Sequence, residues 1–213
     1  MSKLRSEIER LFQEADHLSK AQDRQGARQC FQKILSLEHL EEEEPLAAEC
    51  AHWGLAEILI SLRELGQAED HLREAIRINP DEPGYHTELG SLYNYQADFE
   101  RAVSEFEESL RLRPDHPPTV HLLGWALFMS GDRDRGREVL ERALALDDCD
   151  TGILNDLAVC LLEEGKLDRA LELVERASAV DPGSRLLVSF RELIQRRKEE
   201  KKAGRKSGGR GSE

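Results

Sequence analysis

Apolar residues recur along this chain at helical spacing, and the helices they predict recur in turn. Leu55, Ala56 and Leu59 fall on one face of a helix, and Leu72, Ala75 and Ile76 on one face of the next. Short polar breaks such as "RELGQ", "MSGDRD" and "EEGKLD" separate the two members of each pair. The arrangement returns every 34 residues, as Leu55, Leu89, Leu123 and Leu157, and again as Leu72, Phe106, Leu140 and Val174. Small residues keep the same frame: Ala56, Gly90, Gly124 and Ala158 in the first helix, Ala68, Ala102, Gly136 and Ala170 in the second. Such residues let two helix backbones approach, so each pair is expected to close into an interlocked hairpin. A proline-bearing phrase, with Pro80 and Pro114 in register, ends one hairpin and opens the next. Proline cannot continue a helix and disfavours helical geometry just before it.

Self-similarity at this period marks stacked supersecondary units. Five fit the sequence: 8–41, 49–82, 83–116, 117–150 and 151–184. In the first, Glu14 sits where the others carry leucine, and a seven-residue insertion around "EEEEPLAAE" follows it. The frame, the small residues and the terminal proline resemble the tetratricopeptide repeat. The match is strongest in "AHWGLAEILISLRELGQAEDHLREAIRINP" and "LGSLYNYQADFERAVSEFEESLRLRP". The early tryptophan usual in that family is absent, its place taken by Leu11, His52, His86, Val120 and Leu154. The resemblance implies an all-α fold, an α-solenoid of five helical hairpins forming a superhelix over residues 1–195. A capping helix within 185–202 would carry Leu186, Leu187, Phe190, Leu193 and Ile194 as one apolar stripe and present a polar outer face. Residues 203–213, basic and rich in Gly and Ser, are expected to be disordered.

Charge changes the picture of partners. The net charge is −13, yet the segment from Arg196 to Glu213 carries +5, so residues 1–195 carry −18. An acidic body of that size discourages nucleic acid and favours basic partners. The basic tail offers no aromatic for base stacking, and nucleic-acid binding is not expected of it. Cys30, Cys50, Cys149 and Cys160 form no CxxC pair and have no His at zinc-finger spacing, so reduced, packing cysteines are expected. No apolar run resembles a signal peptide or a membrane span, which leads to a cytoplasmic expectation. The seven His are scattered, and no nucleotide, metalloprotease or nucleophile-elbow motif occurs. No enzyme, metal or cofactor is expected. His52 and His86, one repeat apart, are expected to be neighbours serving packing.

In the resembled family the first helix of each hairpin lines a concave groove. Carried onto this chain, that face holds Phe12, Asp16 and Ser19, then Trp53, Glu57 and Ile60, then Thr87, Ser91 and Asn94. His121, Trp125 and Phe128, then Asn155, Val159 and Leu162, complete it. The fourth unit's first helix is apolar nearly all round. Its second face either packs on a neighbouring helix or forms an exposed binding patch. Family members that grip acidic heat-shock tails use basic groove residues, and none stands at those places here. The sequence therefore points to a scaffold that binds a peptide or helix segment of another protein in an aromatic and acidic groove, whose charge favours basic flanks on that segment. The candidate contacts are Trp53, Glu57, Tyr95, His121, Trp125 and Phe128, with Asn94 and Asn155 bonding to peptide backbone. Two alternatives stand beside it: a secretion or assembly chaperone shielding an apolar client segment, and a self-associating module. The chain is expected as a monomer or a weak homodimer.

Overall fold

A computed structural model describes the backbone of residues 3–208 and the side chains of residues 3–203. No strand occurs among the described residues, and the all-α expectation holds. The chain divides into two units, meeting at Pro114 and Asp115. The first contains α1 (Lys3–Lys20), α2 (Arg24–Leu35), α3 (Leu40–Glu43), α4 (Pro45–Ser61), α5 (Leu65–Ile78), α6 (Pro83–Tyr95) and α7 (Phe99–Leu112). Here α1 pairs with α2, α4 with α5 and α6 with α7, while α2 packs on α4 and α5 on α6. The second contains α8 (Pro117–Ser130), α9 (Arg133–Leu146), α10 (Thr151–Glu163), α11 (Leu167–Val180) and α12 (Arg185–Gly208). In it α8 pairs with α9 and α10 with α11, α9 packs on α10, and α12 lies on α11. The first hairpin begins at Lys3 and the second at Pro45, ahead of the repeat units 8–41 and 49–82 that they belong to.

Local chemistry sets these boundaries. Proline stands at the start of α4, α6 and α8, where its missing N–H costs nothing. Asp23, Asp98 and Asp150 cap α2, α7 and α10 by accepting from the backbone N–H of Gly26, Arg101 and Ile153. The insertion after the first hairpin builds α3 and one extra turn at the start of α4. Four hairpin turns close with a left-handed residue and a bond from the next N–H back five residues, as in Asp98 N to Tyr93 O at 2.9 Å. That residue is Gly165 in the last hairpin, but Gln22, Arg63 and Ala97 in the three hairpins of the first unit.

Small residues act as notches. A Cβ on Gly54 would lie 2.6 Å from the Phe31 ring, and one on Gly90 would lie 2.7 Å from the Phe106 ring. At Gly136 the neighbour is backbone: an added Cβ would meet Phe128 N at 2.5 Å and Gly124 O at 2.9 Å. The corresponding alanines, Ala68, Ala102 and Ala170, are fully buried, so α8 and α9 sit closer than the other pairs need to. That is why glycine replaces alanine in the fourth unit.

Two expectations change at the C-terminus. The helix does not stop at Lys202 but continues to Gly208, and residues 209–213 lie outside the described residues. Its Lys-, Glu- and Arg-rich stretch suits a helix, and it is tied down by Lys198 Nζ to Asp168 Oδ1 at 2.5 Å and Lys201 Nζ to Gly165 O at 3.4 Å. Its outer face is also not purely polar. Leu187 and Ile194 are buried against α11, but Leu186, Val188 and Leu193 are exposed.

Gly136→Ala should destabilise the chain by about 1–3 kcal/mol, because the clash is with backbone that cannot rotate away. Gly66→Ala, with open space around its Cβ, should leave stability unchanged or slightly raised. Ala97→Gly, relieving a left-handed alanine, should raise it by about 0.5–1 kcal/mol. Urea denaturation of the three variants checks all of these.

Candidate partner-binding surfaces

An apolar opening lies in the first unit. It is a groove of about 500 Å³ between α1, α2 and α4. Ile8 and Phe12 come from α1, Phe31 from α2, and Leu46, Ala47, Cys50 and Trp53 from α4. The Gly54 notch lets the Phe31 ring reach the groove, where it meets Phe12 edge-on at 6.1 Å between centroids. Trp53 keeps 38% of its surface exposed and leans on Tyr85 at 6.2 Å. Leu46, contributed by the insertion, is 67% exposed.

Glu9, Glu44, Glu57 and Arg5 rim this groove. Arg5 bonds Glu44 through both nitrogens, at 3.0 and 3.2 Å, which ties the start of α1 to the start of α4. Partial burial, and then the charge of Glu88, push the Glu57 carboxyl above the ordinary carboxylate range. Burial alone pushes Glu88 up as well. Two carboxylates that resist ionisation side by side would be relieved by an arriving cation.

The remaining candidates fall in other places. Tyr95 is 61% exposed at the end of α6 and is covered by the Arg63 guanidinium at 4.7 Å. It lines a smaller cleft of about 280 Å³ with Ile60, Leu65, Glu88, Ser91 and Leu92. Asn94 is half-buried nearby, and its side-chain oxygen has no hydrogen-bond partner. In the second unit His121 Nε2 meets Asp156 Oδ2 at 2.8 Å, and Asn155 Nδ2 reaches the other oxygen of Asp156 at 3.4 Å. Phe128 is only 7% exposed, so it is a core residue and not a surface contact. It packs with Leu140, Leu154, Leu157 and Leu161, and half-buried Trp125 stacks on it at 5.9 Å. The second face of α8 is thus claimed by α10, and the exposed-patch reading of that helix is set aside.

Phe31, Leu46 and Arg5 escaped the sequence reading. Phe31 sits on a second helix, which the concave-face rule leaves out. The signal that could have found it was the glycine in the middle of α4.

Two of the histidines lie in hairpin seams. His52 and His86 do not pair with each other. Each instead meets the residue nineteen positions on, in the partner helix of its own hairpin: His52 Nδ1 to His71 Nδ1 at 2.9 Å, and His86 Nδ1 to Glu105 at 2.7 Å. Burial depresses the pKa of both His52 and His71, and each loses a little more to a neighbouring cation, His71 for His52 and Arg28 for His71. The four cysteines are free, and burial pushes the Cys160 thiol up to about 12. Among the described residues no group of three or more His, Cys, Asp or Glu could hold a metal ion. No helix of the described residues is long and apolar enough to cross a membrane.

Two models of the tetratricopeptide repeat match the sequence, one over residues 12–83 and the other over 95–151 and 137–192. No curated protein matches it. Among solved structures, a tetratricopeptide repeat protein from Parabacteroides merdae is similar at a TM-score of 0.79 and 14% identity, covering 91% of this chain and 74% of its own. PilF of Pseudomonas aeruginosa is similar at 0.74 and 16%, covering 94% and 88%. YrrB, described as a TPR protein with an unusual peptide-binding site, is similar at 0.69 and 17%, covering 84% and 88%.

The His52–His71 contact has a pH signature. A depressed pKa in the folded chain means the unfolded chain takes up protons first. Stability should be full above the ordinary histidine value and fall as pH drops below it, towards the folded values. The double variant His52→Gln, His71→Gln should flatten that slope in urea titrations between about pH 7 and about pH 5.

Proposed function

The chain belongs to the tetratricopeptide-repeat family, and on that premise we propose that it is a non-enzymatic scaffold that captures a segment of another protein in the groove of its first unit. The observation that carries this reading is the half-exposed indole of Trp53 standing in an apolar opening rimmed by carboxylates. Large aromatic residues in partly desolvated pockets dominate binding energy at interfaces. Here Phe12, Phe31 and Leu46 would receive the partner's apolar side chains, while Glu9 and Glu57 would face its flanking Lys or Arg. An amphipathic helical segment with apolar anchors at i, i+4 and i+7 fits this chemistry. The Tyr95 cleft, with Glu88 at its edge, extends the same preference as a second contact. Asn94 has a lesser role, since its side-chain oxygen is buried away from an arriving segment. We assign lesser roles to His121, Trp125 and Asn155, which are already engaged within their own unit. The free cysteines fit work in a reducing compartment such as the cytoplasm.

Trp53→Ala should weaken capture of a selected helical peptide at least tenfold while leaving the circular dichroism spectrum unchanged. Equal affinity for both proteins would remove the groove from the mechanism. Binding of an Arg-bearing peptide should also release a proton from Glu57. Affinity should therefore rise as pH climbs from the ordinary carboxylate range through the elevated Glu57 pKa, and Glu57→Gln should flatten that rise in calorimetry.

A further inference from the structure

The groove has a complement within the same sequence. Along α12, Leu186, Phe190 and Leu193 recur at i, i+4 and i+7, Phe190 resting partly on the second unit's core while the two leucines stand out. Leu186 is 66% exposed, Leu193 is exposed, and Phe190 is half-buried between them. The three span roughly 10 Å of helix. Exposed Arg185, Arg196 and Arg197 edge the stripe. The groove answers in kind, with an apolar floor of Ile8, Phe12 and Phe31 and a rim holding Glu9 and Glu57, beside Glu44 already paired with Arg5.

We propose that the α12 stripe of one copy docks in the first-unit groove of a second copy, so that chains associate head to tail. Stripe against stripe would set arginines against arginines, which opposes a symmetric α12 pair. Stripe against groove brings opposite charges together along an apolar seam. The chain's overall asymmetry favours the same arrangement, since residues 1–195 carry −18 and the remainder +5. Because the two surfaces differ, each docking leaves one groove and one α12 free, and association extends into a ring or an open chain. The contact is small, so its Kd should be on the order of tens of micromolar. The inference rests on the groove being a docking surface, as proposed above, and adds that α12 competes with an outside partner for it.

Sedimentation velocity of the full chain tests this up to about 1 mM protein. The wild-type mass should grow past that of a dimer with concentration, and association should weaken as salt rises from about 0.05 to about 0.5 M. Leu186→Glu with Leu193→Glu changes only exposed positions, and Leu46→Arg with Trp53→Ala changes only the groove. Each double variant alone should associate at least tenfold more weakly. Mixed together they should form a one-to-one complex and nothing larger, since one retains a groove and the other a stripe. A wild type that stays monomeric overturns the inference, as does a groove variant that associates like wild type or a mixture that does not pair. Peptide capture that depends on Trp53, measured separately on the α12 variant, would survive those failures. Loss of that capture alone would sink the partner-binding reading instead.

Discussion

How near two helix axes can come governs this molecule. A helical hairpin of such short members has little surface to bury, and its stability comes from side-chain packing at a few positions. The chain meets the limit in two ways. At Gly54 and Gly90 a missing side chain admits an aromatic ring from the facing helix. At Gly136 the facing backbone itself fills the space, and at Gly124 Leu140 fills it with both side chain and backbone N. The first solution can yield by a small rotation of the ring, whereas the second cannot, so the fourth hairpin is the most tightly constrained.

The same notch that closes the packing also opens the groove. Phe31 belongs to a second helix and would ordinarily be hidden between hairpins. Because Gly54 has no side chain, the ring passes α4 and becomes part of the floor. The insertion then raises one wall, since the extra turn of α4 carries Leu46 and places Glu44 where Arg5 can hold it. Electrostatics follow from this geometry. The groove's arginine is engaged by Glu44, while Glu57 and Glu88 crowd each other nearby, which leaves the rim inclined towards cations.

Much of this was legible in the sequence. The 34-residue frame pointed to an all-α solenoid, because small and large residues at fixed spacing leave few other ways to pack. Trp53 and Glu57, which the same frame puts on one helix face, line one opening. What the frame could not reveal were contacts set by the third dimension. Phe128 reads as surface by helical spacing, but α10 covers it. His52 finds His71 rather than His86, because a hairpin partner is nearer than the next repeat. The helix α12 runs past Lys202, where Gly- and Ser-rich composition predicts none. The Tyr85 hydroxyl, donating to buried Glu49 at 2.7 Å and raised in pKa by burial and that carboxylate, is another contact no one-dimensional pattern discloses.

The hairpin turns divide the chain in a further respect. Gly131 and Gly165 enter the left-handed region freely in the second unit, while Gln22, Arg63 and Ala97 are forced there in the first. Each forced residue gives back part of what its hairpin gains by closing. Backbone amides beside those turns will therefore exchange with solvent sooner than their counterparts around Gly165. The half of the molecule that bears the aromatic opening is also the half that breathes, and a guest seated there would be felt as slower exchange three helices wide.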